Sequence, residues 1–327
     1  MNFCSEQVIC VCTGILIICL DNNVVIDKSS YNDFFIGKKV FIMKGVIAAA
    51  GKGSRLFPLT ESVSKHLLPV YNKPLIYYPI TNLIASGINE ICIITNPDEL
   101  KLYKKLLGTG SQLGCKFEFF EQKEAIGIPD VLNYSLQVYG EKPVTLILGD
   151  NVFAASDTLI NTMRKKEILG AQIFATKVED PSRFGVVNFD HQMKIKSLEE
   201  KPTKPKSNYA IIGLYIFDEM VFEYLKKIKP SARGELEIID ILKMYLNDKK
   251  LSLDIMKRGS IWFDAGTPES LLRAGLFIET FEKQSGIMIG CIEEAALVRG
   301  FLSENKFNNL VNLMPSSKYK QYLKNLT

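Results

Sequence analysis

Histidine is nearly missing from this 327-residue chain: His66 and His191 are the only two, beside a single tryptophan, Trp262. Two histidines leave almost no material for a His-activated nucleophile. No CxxC pair occurs, which argues against a zinc knuckle. Of the 7 cysteines, Cys4, Cys10, Cys12 and Cys19 crowd the start, and only Cys92, Cys115 and Cys291 are scattered through the rest. So sparse a usage fits a reducing cytoplasm and not a disulfide scaffold. Excess charge is also lacking. Lys and Arg total 40 against 36 Asp and Glu, a net of +4, with no clustering of the kind a nucleic-acid binder needs.

Long apolar runs are absent as well. The uncharged stretch Val8–Leu20 has 13 residues, short of the roughly 20 that cross a bilayer. Only Glu6 is charged ahead of it, whereas a signal peptide carries Lys or Arg there. Residues 1–42 therefore read as an extension of unknown role: either a weak membrane association or, the reading we favour, a dispensable addition or early start before Met43.

From Lys44 onward, apolar runs of strand length alternate with helical patterns. Val46–Ala49, Glu90–Thr95, Lys116–Glu121 and Val144–Leu148 read as strands. Helices are expected over Lys73–Ser86, Asp98–Leu107 and Pro129–Val138. Near-continuous apolar strands separated by helices indicate an α/β fold with a mostly parallel, doubly wound, Rossmann-like sheet. The second half is more mixed. Short strands at Ile173–Val178, Val186–Phe189, Ile195–Glu199 and Tyr209–Phe217 suggest antiparallel insertions, with helices at Glu219–Lys227, Leu236–Asn247 and Pro268–Glu282. This divides the chain into the extension, a main domain over 43–285, and a helical tail over 286–327 with one plausible helix, Glu293–Phe301, before polar residues take over.

Ligands of parallel sheets collect beyond the carboxyl ends of the strands. There the chain has Ala49-Ala50-Gly51-Lys52-Gly53-Ser54-Arg55. Gly51 and Gly53 let backbone N–H groups approach phosphate, and Arg55 adds a fixed cationic fork. It is not a Walker A loop, because Val46 stands where its first Gly belongs and Gly53 where its Ser or Thr belongs. Leu56 replaces the third glycine of a dinucleotide fingerprint.

Segments beyond the loop are more specific. Arg55-Leu56-Phe57-Pro58-Leu59-Thr60, Ser64-Lys65-His66-Leu67-Leu68-Pro69-Val70, Gly149-Asp150-Asn151, Phe184-Gly185-Val186-Val187, Leu198-Glu199-Glu200-Lys201-Pro202, Arg233-Gly234-Glu235-Leu236-Glu237 and Trp262-Phe263-Asp264-Ala265-Gly266-Thr267 together resemble the sugar-1-phosphate nucleotidylyltransferases. Within them they are most similar to the short bacterial glucose-1-phosphate thymidylyltransferases.

The resemblance implies attack by a sugar-1-phosphate oxygen on the α-phosphorus of dTTP, giving dTDP-glucose and pyrophosphate. UTP or another sugar phosphate is the runner-up, and a catalytically silent nucleotide-sugar sensor the second alternative. In-line transfer of this kind needs positioning and cations more than covalent help. Mg²⁺ takes one or two carboxylates plus phosphate oxygens and water. The resemblance assigns Asp150 and Asp264 to it, both at strand ends where a parallel sheet gathers ligands. It places Arg55 and Lys65 on the triphosphate, with Gly51, Gly53 and Ser54 beside them. Gln122 and Gly127 meet the base. Lys201 and Arg233 take the sugar phosphate, and Asn151, Gly185, Glu200 and Tyr215 stand near the sugar; Tyr215 reads equally well as a core tyrosine. A cytoplasmic homotetramer with an allosteric pocket is implied too, with no nucleic-acid partner. Two departures from the pattern stand out: His66 replaces a glutamine, and Lys123–Asp130 differs from the usual Pro-rich segment.

Overall fold

The computed structural model describes residues 7–11, 15–20, 23–26, 43–124, 126–154 and 169–327. Three short strands, Gln7–Val11, Ile15–Leu20 and Asn23–Ile26, pair antiparallel in that order. The described parts of the Val8–Leu20 run are thus strand. No helix among the described residues is long and apolar enough to cross a membrane.

The body is built on β1 (Lys44–Ala49), β2 (Glu90–Thr95), β3 (Lys116–Glu121) and β4 (Val144–Leu148). They pair in parallel, with β1 between β2 and β4, and β3 outside β2. Alternation explains why both faces of this sheet need cover. Along β2, Ile91 and Ile93 enter one apolar cluster while Cys92 and Ile94 enter the other, as a period of two demands. The first cluster takes in helices α1 (Tyr77–Ala85) and α2 (Leu100–Leu107). The second takes in α3 (Val131–Tyr139), α4 (Met220–Leu225) and α5 (Ile238–Asn247).

The structure differs from the sequence expectation in several places. After β4 the chain makes β5 (Asn151–Ala154), which leaves the main sheet to pair antiparallel with β11 (Ile261–Asp264). Asp264 therefore ends a strand of a separate ribbon and not of the parallel sheet. The expected strands appear as β6 (Ala171–Lys177), β7 (Gly185–Phe189), β8 (Ile195–Glu200) and β9 (Tyr209–Phe217), and β10 (Leu251–Ile255) adds a parallel partner for β6. Helix α1 starts later than its pattern, because Lys73–Pro74 pairs with Pro69–Val70 in a small ribbon.

Strand β9 decides where the cleft opens. Its N-terminal end pairs with β7 at Ala210 and its C-terminal end with β4 from Leu214. Both partners lie in line along β9, so the sheet parts around Ile211–Gly213.

Helix α6 (Pro268–Ser285) shows how local chemistry sets an element. Thr267 caps it, accepting from the Ser270 N–H while Ser270 returns the contact; Pro268 occupies the first turn, and Gly286, at φ +71°, closes it. The tail then carries three helices where one was expected: α7 (Ile292–Val298), α8 (Glu304–Leu313) and α9 (Lys318–Lys324). Phe307, Val311 and Leu323 are buried in the first core cluster. Their apolar positions are too few for a sequence pattern to register, yet each is fully used.

Glu294 on α7 is buried beneath that tail. Burial pushes its carboxyl up from 4.5 to about 7, although the Tyr322 hydroxyl donates to Oε2 at 2.8 Å. The folded value lies above the unfolded one, so stability is full below about pH 4.5 and declines as pH rises through about 7. Glu294→Gln keeps an acceptor for Tyr322 and is expected to remove this decline, gaining roughly 3 kcal/mol over wild type at pH 8. Urea unfolding at pH 5 and pH 8 checks it; parallel pH dependence in both proteins would refute the assignment.

Candidate active site

The loop after β1 is shaped by its glycines. Gly53, at φ +64°, starts the short turn Ser54–Leu56, and Thr60 donates to its carbonyl at 3.0 Å. Leu56 is buried beneath the turn, which leaves Arg55 on the outside. Gly51 lies against Lys65: a Cβ added there would stand 3.4 Å from its Cε and Nζ.

Lys65 and His66 share a second turn, Lys65–Leu67. His66 is buried, its Nδ1 3.1 Å from the Ser64 hydroxyl, which in turn lies 2.9 Å from that of Tyr103. Burial, reinforced by the Lys65 charge, lowers its pKa to about 3. The ring is neutral at pH 7 and, although buried, contributes to the cleft lining. Gly149 leaves room for it, since a Cβ there would fall 2.8 Å from the ring.

The two aspartates expected at the metal, far apart in sequence, meet here. Asn151 is register partner to Asp264, and the Ala265 N–H donates to the Asp150 carbonyl at 2.9 Å. Asn151 ties the corner together. Its amide donates to Asp150 at 2.9 Å and accepts from Trp262 Nε1 at 2.6 Å and the Gly213 N–H at 3.1 Å. Lys65 forms an ion pair with Asp150. Burial opposes ionisation of Asp150, but the Lys65 charge and the hydrogen bonds from Lys65 and Asn151 outweigh it and hold the carboxyl below its usual range. Asp264 moves the other way. Burial and the neighbouring Asp150 charge raise it, against the pull of Arg55, Lys65 and Arg183.

This donor set fits a hard divalent cation. Two adjacent, partly desolvated carboxylates repel each other, and among the described residues no hydrogen bond or ion pair engages the Asp264 carboxylate. Nor do the described residues contain a group of three or more His, Cys, Asp or Glu able to hold a metal. Two carboxylates with the remaining positions filled by substrate oxygens and water is the mode that suits Mg²⁺.

The aspartates line a cleft of about 320 Å³, as does every expected site residue except Gly53 and Ser54. Gly53 shapes the loop from behind instead. Gly185, Glu200, Lys201, Arg233 and Tyr215 line the same cleft. Arg233 donates to Glu237 from Nη2 at 2.7 and 2.8 Å and from Nε at 3.1 Å, and approaches Glu200 at 3.4 Å. Burial, with Glu237 adding, raises Glu200 against the pull of Lys201 and Arg233. Tyr215 is buried and stacks on Phe217 at 6.1 Å, yet its side chain reaches the cleft wall, so core and cleft readings both hold. Gln122, also on the cleft wall, donates to Asp130 at 2.8 Å. Gly127, at φ +122°, bridges Leu236, where a Cβ would meet the Leu236 carbonyl at 2.2 Å.

Arg183, Phe184, Trp262 and Glu237 also line the cleft. Phe184, Trp262 and Glu237 belong to the sequence motifs, but their residue types alone assigned them no role. Arg183, one residue before such a motif, carried no signal of its own.

A nucleotidyl transferase family profile matches residues 44–280, which is most of the chain. The chain belongs to the nucleotidyl transferase family. Among curated relatives of this nucleotidyl transferase, a glucose-1-phosphate thymidylyltransferase from Neisseria meningitidis is 44% identical over 282 residues, covering 86% of this chain and 98% of that one. Another of that name from an Actinoplanes species is 42% identical over 87% of this chain and 94% of its own length. A candidate glucose-1-phosphate thymidylyltransferase from Bacillus anthracis, solved with sucrose, superposes with a TM-score of 0.67 at 42% identity over 72% of this chain and 94% of that one. A UDP-glucose pyrophosphorylase solved with UDP-glucose gives 0.65 at 25% identity, over 74% of this chain and 99% of that one. Nucleotidyl transferases of this family generally use a divalent metal.

Proposed function

We propose that this chain transfers a thymidylyl group from dTTP to α-D-glucose 1-phosphate, releasing pyrophosphate, with Mg²⁺ as the divalent ion, as a cytoplasmic homotetramer. The juxtaposition of Asp150 and Asp264 in a cleft lined with cations is the observation that carries the reading. The relatives named thymidylyltransferase, closer in sequence than the UDP-glucose enzyme, favour dTTP over UTP.

The sugar phosphate is already ionised at neutral pH, so no general base is required, and neutral His66 is not asked to act as one. Arg55 and Lys65 lie where a triphosphate would enter over the glycine loop, and their charges oppose the repulsion between two anionic substrates. Lys201 and Arg233 receive the sugar phosphate. Glu200, an acceptor when ionised, reads a sugar hydroxyl, whose absence would leave it unpaired. The hydrogen bond from Gln122 to Asp130 fixes that amide, turning Oε1 toward a base N–H. Asp150 and Asp264 would hold a divalent ion, which when bound would supply positive charge against the repulsion between the phosphates.

The test is pyrophosphate release from the full chain with dTTP, UTP, CTP, ATP and GTP crossed with several sugar 1-phosphates. Turnover is expected to be fastest with dTTP and glucose 1-phosphate and to stop on chelation of Mg²⁺. Release with UTP alone would overturn the thymidylyl assignment.

A further inference from the structure

Five cations line the cleft: Arg55, Lys65, Arg183, Lys201 and Arg233. Three of them already have carboxylate partners. Lys65 is held by Asp150, Arg233 by Glu237, and Lys201 by Glu200 at 3.6 Å. Among the described residues Arg55 and Arg183 make no ion pair. Arg55 belongs to the glycine loop. Arg183 has no role in the reading above.

Its position is built. Arg183 ends the short turn Pro181–Arg183, which Asp180 caps by accepting from the Ser182 N–H at 3.1 Å. That carboxylate is thereby occupied. The next residue, Phe184, packs edge-on against Trp262 with ring centroids 5.3 Å apart, and its carbonyl accepts from the Lys201 N–H at 3.0 Å. Trp262 lies two residues before Asp264 on β11 and is itself bonded to Asn151. The guanidinium thus stands where the sugar side of the cleft, at Gly185 and Lys201, meets the aspartate corner. Its charge is felt by Asp264, in company with those of Arg55 and Lys65.

We propose that Arg183 binds the phosphate of the sugar 1-phosphate at its attacking end; this rests on the function proposed above. An unpaired guanidinium suits the task, because its planar fork can hold two phosphate oxygens at once. During transfer a sugar-phosphate oxygen forms its bond to the α-phosphorus. The bond from that phosphorus to the bridging oxygen breaks, and its electron pair leaves with pyrophosphate. Arg183 takes no proton and forms no bond; it holds the attacking anion in line and offsets its repulsion by the nucleotide.

Steady-state kinetics on the full chain test this. Arg183→Ala is expected to lower kcat/KM for glucose 1-phosphate about 10- to 100-fold while KM for dTTP stays within about twofold of wild type. Arg183→Lys should recover part of the loss. Low millimolar guanidinium should recover part of it in Arg183→Ala and do nothing for wild type, which a merely structural role would not produce. Unchanged kinetics, or an equal loss toward both substrates without guanidinium rescue, overturns the assignment. Calorimetric titration of glucose 1-phosphate is expected to show weaker binding to Arg183→Ala than to wild type. Equal binding, or none to either protein, overturns it as well. Wild-type turnover in the same assays separates a failure of this inference from a failure of the proposed function.

Discussion

Asp264→Asn is expected to lose at least about a hundredfold in nucleotidyl transfer at saturating Mg²⁺ and yet to unfold at a higher temperature than wild type. The two effects share one cause. Asp264 is buried next to Asp150, and both burial and that neighbouring charge raise its carboxyl. A raised folded pKa means that the ionised form, which dominates in the unfolded chain at neutral pH, works against the fold. An isosteric amide removes the repulsion and with it half of the carboxylate pair that suits a divalent ion. Asp150→Asn should differ. It also loses turnover, but it strips Lys65 of its partner, so no gain in stability accompanies it. Pyrophosphate release and thermal unfolding of the two variants, read side by side, check the pair. Wild-type turnover in Asp264→Asn would remove that residue from the site; a fall in both activity and Tm would make it structural.

The second large effect lies away from the cleft. Lys73 and Glu282 form an ion pair at 2.7 Å with side chains only 2% and 6% exposed. Glu282 also accepts from Asn72 at 2.8 Å and from the Ile289 N–H at 3.0 Å. One carboxylate therefore fastens the Pro69–Pro74 ribbon, the end of α6 and the entry to the tail. Lys73→Met would leave that anion buried without its cation, a change that costs about 3–5 kcal/mol. Adding Glu282→Gln removes the stranded charge while its single amide oxygen can still accept from the Ile289 N–H, and is expected to restore more than half of the loss. Denaturant unfolding of the single and double variants measures the difference. A double variant as unstable as Lys73→Met would show that the charge is not the cause.

Lys73 sits inside a stretch whose apolar spacing reads as the start of a helix. The pattern there is real from Tyr77 onward, but it cannot report that Lys73–Pro74 turns back onto Pro69–Val70 to reach a carboxylate more than two hundred residues later. The tail makes the same point. Phe307, Val311 and Leu323 are isolated apolar residues among polar ones, and what turns them into core is the surface left open beside α1 and α7. Arg183 shows the limit at the site itself: one arginine in a loop looks like surface until the strand bearing Trp262 and Asp264 is laid next to it.

The sequence by itself determined the parallel β/α core, because strands buried on both faces must be apolar along their whole length. It also determined the chemical cast of the cleft, because phosphate-handling loops need glycine and fixed cations at set spacings. Tertiary structure alone decided that Asp150 and Asp264 share a corner. The pairing of β5 with β11 does this, joining segments more than a hundred residues apart. It decided as well which cations remain unpaired, since ion pairing depends on distances of a few ångströms through space, which no local pattern of residues encodes.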